Sequence, residues 1–317
     1  MPHSSRPETP ISDNPVADNL LARAPSVKRE TKGELECLVI RHPLFRADLL
    51  LQGAQLIHYA PATEANWLWL SEQAQYRRGV SVRGGIPVCW PWFGNADKNP
   101  PAVQSNITAV TDAPAHGFAR ERDWTITQAE EDDNAVMLVL TLENTRHPQW
   151  QTALGLEAEF RFTASSVSLT LTTSNPGDRD AGFSQAMHSY FPTVDIHRTQ
   201  ISGLDGAGYI DTLDNWQTKT QQGAVTFTAE TDRIYTGGKP LTLQTPERTL
   251  ELSSRGSQST VVWNPWTEKA QRLSQFDDGA YQRMFCVETA NAADDAVMLA
   301  AGGQHSLSLL LTRHDDD

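Results

Sequence analysis

Cysteine is scarce in this chain: Cys37, Cys89 and Cys286 are its only three, scattered over 317 residues. Such spacing argues against a disulfide framework and for reduced thiols in a cytosolic protein, with burial as the expected role of Cys89 and Cys286. No apolar run approaches membrane-spanning length, and the opening Met1-Pro2-His3-Ser4-Ser5-Arg6-Pro7 leads into no apolar signal-peptide core. The expectation is a soluble, cytoplasmic protein. Basic charge is scarce as well. Lys and Arg total 26 against 39 Asp and Glu, a formal charge of −13, which argues against nucleic-acid and membrane partners. An anionic ligand would need a local basic cluster working against that field. Arginine far outnumbers lysine, and its fork suits bidentate phosphate contacts.

Signatures of several chemistries are missing too. The nine histidines show no His-x-x-x-His pair, no cysteine pair stands at zinc spacing, and no Gly-x-Ser-x-Gly occurs. No glycine-rich turn joins a strand to a helix, so a Rossmann or P-loop fold is not expected. Arg83-Gly84-Gly85 is a single copy, unlike a repeated RNA-binding segment. No metal and no cofactor are expected.

What is present is a period of two. Leu156, Ala158, Phe160 and Phe162 alternate with Glu157, Glu159 and Arg161; Val167, Leu169 and Leu171 then alternate with Ser168, Thr170 and Thr172. That pattern predicts a hairpin with one buried face, ended by Asn175-Pro176-Gly177. The alternation returns in Ser306–Leu309, and more loosely in Val225–Thr228 and Thr249–Leu252. Further strands are expected over Leu35–Ile40, Trp67–Leu70, Ala135–Leu142, Thr260–Trp263 and Met284–Val287. No segment carries a long helical stripe. An all-β sandwich or barrel with few short helices follows. Residues 1–33 read as a loosely ordered arm with a helical turn near Asn19–Arg23, 34–313 as a single domain, and 314–317 as an acidic tail.

Arg83-Gly84-Gly85-Ile86-Pro87-Val88-Cys89-Trp90-Pro91-Trp92-Phe93-Gly94 holds two prolines, three glycines and two tryptophans. It predicts a shaped loop, since proline lacks a donor and glycine costs ordering entropy. Its aromatic faces suit the C–H faces of a sugar; equally, Trp90, Trp92 and Phe93 could be core of an irregular connection.

Three later segments change the reading: His116-Gly117-Phe118-Ala119-Arg120, Met187-His188-Ser189-Tyr190-Phe191 and Phe285-Cys286-Val287-Glu288. In this order, with Glu230-Thr231-Asp232 and Trp263-Asn264-Pro265-Trp266, the chain resembles the hexose-6-phosphate mutarotases from about residue 35 to 312. These form the glucose-6-phosphate 1-epimerase branch of the aldose 1-epimerase (galactose mutarotase-like) superfamily. The resemblance implies a large two-sheet β-sandwich with an open sugar-binding face and interconversion of α and β anomers by ring opening. It implies Glu288 as general base, His188 as general acid on the ring oxygen, and Asp232 as acceptor from a sugar hydroxyl. His116 would lie near the sugar, with Arg83 and Arg120 binding substrate at its phosphate. Arg77 and Arg78 read as a solvated turn. Ala115 stands where the family often has glutamine before its His-Gly pair.

Taken alone, Glu288 reads as a surface charge rather than a strand-end carboxylate facing a cleft, His188 as a hydrogen-bonded core residue, and Asp232 as half of an ion pair with Arg233. Two other functions stay open: an epimerase for unphosphorylated aldoses, and a carbohydrate-binding protein without turnover. The expected partner is a small phosphorylated hexose, and a monomer is expected.

Overall fold

The computed structural model describes residues 15–313. The expected acidic tail and the first part of the expected arm lie outside the described residues. Two large antiparallel sheets dominate. The nine-stranded sheet runs from Thr125–Glu131 through Ala135–Leu142, Gly155–Thr163, Ser166–Ser174, Gln304–Arg313, Thr249–Arg255, Leu241–Gln244 and Gln200–Ser202 to Val225–Thr226. Next to its central strand Gln304–Arg313 lies the expected hairpin, in which Phe160 lies opposite Leu169 and Phe162 opposite Val167. Alternation is realised literally, with each apolar position buried.

The eight-stranded sheet orders Gln217–Thr220, Gly208–Asp211, Thr231–Thr236, Ser259–Asn264, Met284–Asn291, Gln185–Met187 and Val88–Cys89; Tyr190–Pro192 also pairs with Met284–Asn291. One core joins the sheets: Phe160, Leu171 and Leu309 from the first sheet with Tyr235, Val262, Phe285 and Val287 from the second. This is the sandwich the sequence implied.

Several expectations need correction. Residues 27–32, inside the expected arm, form the strand Val27–Lys32, paired in full with Leu35–Ile40 in a four-stranded meander. The helical turn lies earlier than expected, at Pro15–Leu21. Trp67–Leu70 is not a strand, because its backbone groups have no common ladder. Trp67 donates to Tyr59, Leu68 to the Asn66 side chain, and Trp69 to Tyr190, while Leu70 makes a lone bridge to Gly84. The Arg83–Gly94 loop contains the two-residue strand Val88–Cys89. Its Trp90 and Trp92 are core, fully buried, whereas Phe93 reaches the cavity described below.

Two motif segments meet at Gly117. Its backbone is left-handed (φ +67°), and an added Cβ would sit 2.0 Å from the Trp90 carbonyl oxygen. Neither defect can relax, since the obstacle is backbone. Gly117→Ala should therefore cost about 1–3 kcal/mol, read as a lowered Tm; an unchanged Tm would contradict this packing.

Candidate active site

The outer face of the eight-stranded sheet carries the site. Along Met284–Asn291, Phe285 and Val287 face the inter-sheet core, while Met284, Cys286 and Ala290 belong to apolar clusters on the other side. Glu288 shares that outer side by alternation. It is the fifth of eight strand residues, not a strand end, and is 1 % exposed. Register aligns two rows across the sheet. Glu288, Val261 and Ile234 form one; Cys286, Trp263 and Asp232 form the next.

His188 follows the strand Gln185–Met187, which pairs with Met284–Asn291. Its N–H donates to the Pro87 carbonyl at 3.0 Å, and its ring stacks on Tyr190 with centroids 4.7 Å apart. Trp263 and His116 approach the ring edge-on. Held in this way, Nε2 of His188 lies 3.5 Å from Oε1 of Glu288. The strands thus join side chains that lie 100 residues apart in sequence. Among the described residues, Nδ1 of His188 and Oε2 of Glu288 have no hydrogen-bond partner. Buried polar atoms left this way are costly unless a ligand meets them.

Burial pushes the Glu288 carboxyl well above its ordinary value, with the Asp232 charge adding to it. Burial also pushes His188 down to about 3, helped by the charges of Arg83 and Arg120. Distance alone would read the two as an ion pair. Desolvation opposes that attraction and favours the uncharged forms, a neutral imidazole beside a protonated carboxyl. The pair holds one proton in either arrangement.

His116 has a left-handed backbone (φ 68°). Its Nδ1 accepts the Gly94 N–H at 3.3 Å, which assigns the proton of the neutral ring to Nε2. Burial first, then the charge of Arg120, holds it well below its usual value. Asp232 does not pair with Arg233, which reaches Tyr235, Gln221 and the Tyr209 face. Its partner is Lys269, at 3.6 Å.

Arg83, His116, His188, Asp232 and Glu288 all line one open cavity of about 490 Å³. Arg120 is not among the lining residues. Its guanidinium donates to the Ala115 carbonyl at 2.9 Å, securing the loop that carries His116. The Arg83 guanidinium donates to the Tyr190 hydroxyl at 3.3 Å. Arg78 pairs with Asp123 on the surface. Sequence reasoning missed Lys98, Lys269 and Trp216, which also line the cavity. Lys98 and Lys269 follow segments already singled out, Arg83–Gly94 and Trp263–Trp266, but nothing in the sequence context of any of the three marks it as a cavity residue. Among the described residues, no group of three or more His, Cys, Asp or Glu is placed to hold a metal ion. No helix among them is long and apolar enough to cross a membrane.

The two-sheet sandwich with its open cavity is the galactose mutarotase-like fold. Residues 36–312 match the family model described as aldose 1-epimerase, and the chain belongs to that family. It is thereby an epimerase, an isomerase of carbohydrate metabolism. A protein of Escherichia coli (strain K12) named "Putative glucose-6-phosphate 1-epimerase" is 33% identical over 277 residues, covering 86% of this chain and 88% of that protein. A protein of the same name from Cenchrus ciliaris is 29% identical over 274 residues, covering 81% of this chain and 78% of that protein. A solved structure from Salmonella typhimurium, described as a "putative mutarotase", superposes with a TM-score of 0.81 at 28% identity, covering 92% of this chain and 95% of that one.

Proposed function

We propose that this protein interconverts the α and β anomers of a hexose 6-phosphate such as glucose 6-phosphate, with Glu288 as base and His188 as acid. The observation that carries this reading is the 3.5 Å approach of His188 Nε2 to Glu288 Oε1 at the floor of a cavity that Arg83 also lines. The anomeric hydroxyl and the ring oxygen are bonded to the same carbon, so a base and an acid must stand side by side to serve both.

Transfer of the shared proton from Glu288 to His188 creates carboxylate and imidazolium without changing the proton count. Glu288 then takes the hydroxyl proton at C1 while His188 protonates the ring oxygen, and the C1–ring-oxygen bond breaks to give the open aldehyde. Rotation about C1–C2 and closure on the other face return both protons. Electrons and atoms balance within the sugar and these two side chains.

Asp232 accepts from a sugar hydroxyl, His116 donates to one through Nε2, and Trp263 offers an aromatic face. Arg83 receives the phosphate, and Arg120 supports the same wall through the His116 loop. With three free buried cysteines, the cytoplasm is the natural compartment. A monomer suffices, since all these groups come from one chain.

The test is anomer exchange, followed by NMR on glucose 6-phosphate and glucose side by side. The expected outcome is faster exchange on the phosphosugar. Equal rates on both would favour an epimerase for unphosphorylated aldoses, and no exchange on either would favour a binding protein.

A further inference from the structure

Asp232 stands in an environment that disfavours its charge. It is enclosed by the Trp263 side of the sheet, and the carboxyls of Glu230 and Glu288 and the Cys286 thiol lie near it. Burial accordingly raises its carboxyl above the ordinary value. Thr212, from the neighbouring hairpin, donates to its backbone carbonyl at 3.0 Å. Among the described residues, one cation pairs with this group. Lys269 Nζ lies 3.6 Å from Asp232 and 3.2 Å from Glu230, and 5.8 Å over the Trp263 ring.

That lysine is placed by construction. It sits on the helix Trp266–Ala270, which leaves the strand Ser259–Asn264 through the Asn264-Pro265-Trp266 run. Asn264 is fully buried. Its amide donates to the carbonyls of Tyr281 and Met284, both at 2.8 Å, and its oxygen accepts the Trp266 N–H at 2.9 Å. All three bonds fix the departure of the helix, and hence the reach of Lys269 over the cavity.

We propose that Lys269 is a positioning residue, whose ion pair keeps Asp232 a charged and oriented acceptor for a sugar hydroxyl. This rests on the reading that Asp232 contacts substrate. Lys269 is engaged by Asp232 and Glu230, and Lys98 by Asp97, which leaves Arg83, without a carboxylate partner among the described residues, to meet the phosphate.

The probe is 1,5-anhydroglucitol 6-phosphate, which lacks the anomeric hydroxyl and cannot react. Calorimetric affinity is measured from acid to neutral pH on the full chain. Lys269→Met should weaken binding roughly 10- to 100-fold, with Tm nearly unchanged. Its loss of binding on acidification should begin at higher pH than in the wild type, because removing the cation lifts Asp232 further. Lys269→Arg should restore much of both. Unchanged affinity and pH dependence in Lys269→Met would overturn the proposal. So would a loss confined to the phosphorylated probe and absent with 1,5-anhydroglucitol, which would make Lys269 a phosphate contact. If Asp232→Asn itself binds the probe like the wild type, the failure lies in the underlying role of Asp232.

Discussion

Glu288→Gln and His188→Asn should each lower kcat on glucose 6-phosphate by about 10²–10⁴-fold while leaving the fold intact. Gln keeps the volume of Glu but can neither take the hydroxyl proton nor pass one across the 3.5 Å gap to His188. Asn at position 188 removes the group that serves the ring oxygen. Because the two act on one concerted event, the double variant should be little slower than either single one. Near wild-type exchange by both single variants would remove them from the chemistry.

Stability supplies an independent readout. Glu288 has a folded-state pKa above its unfolded one, so the wild type loses stability as pH rises from the ordinary carboxylate range toward that raised value. Gln at 288 does not titrate, and its advantage in Tm over the wild type should grow with pH across that window. His188 acts oppositely. Its depressed value, about 3, means that below 6.5 the unfolded chain binds a proton that the folded state does not, so stability falls as pH drops from 6.5 toward 3 and returns as pH rises. Activity should follow the one-proton state of the pair, falling when acid adds a second proton and when alkali removes the shared one.

The strand pattern was legible where one face is buried and the other wet, as in Gly155–Thr163 and Ser166–Ser174. It was less legible in Met284–Asn291, where every residue is buried and alternation vanishes. There the strand runs past Glu288, and only cross-strand register reveals which side the carboxyl takes. Trp67–Leu70 looked like a strand by composition but divides its hydrogen bonds among unrelated partners. At the site, the motif order identified His188, Glu288, Asp232, His116 and Arg83, all of which line one cavity. Lys269 escaped notice because a lysine on a five-residue helix has no local signature. The aromatic faces nearest the pair are Trp263 and Tyr190, whereas the conspicuous Trp90 and Trp92 are sealed in the core.

Arg83→Ala should lower kcat/KM for glucose 6-phosphate by roughly 10- to 150-fold, the worth of one charged hydrogen bond, while barely changing a slow reaction on glucose. Arg83 lines the cavity and is held there by the Tyr190 hydroxyl alone among the side-chain contacts described. It can therefore turn toward an anion at little cost. Arg120→Ala should behave differently. Its side chain donates to the Ala115 carbonyl and stands outside the lining, so its loss loosens the His116 loop and should impair both sugars by similar factors. Removing either positive charge also lets His188 rise from its depressed value, since both arginines lower it; the acid limb of kcat/KM should move to higher pH in both variants. Added salt should weaken the phosphosugar reaction more than the neutral one, because screening acts on the attraction between cation and phosphate against a formal charge of −13. A loss in Arg83→Ala shared equally by glucose and glucose 6-phosphate would show that Arg83 secures its loop and that the phosphate is held elsewhere. A loss in Arg120→Ala confined to the phosphosugar would return Arg120 to direct contact with the phosphate.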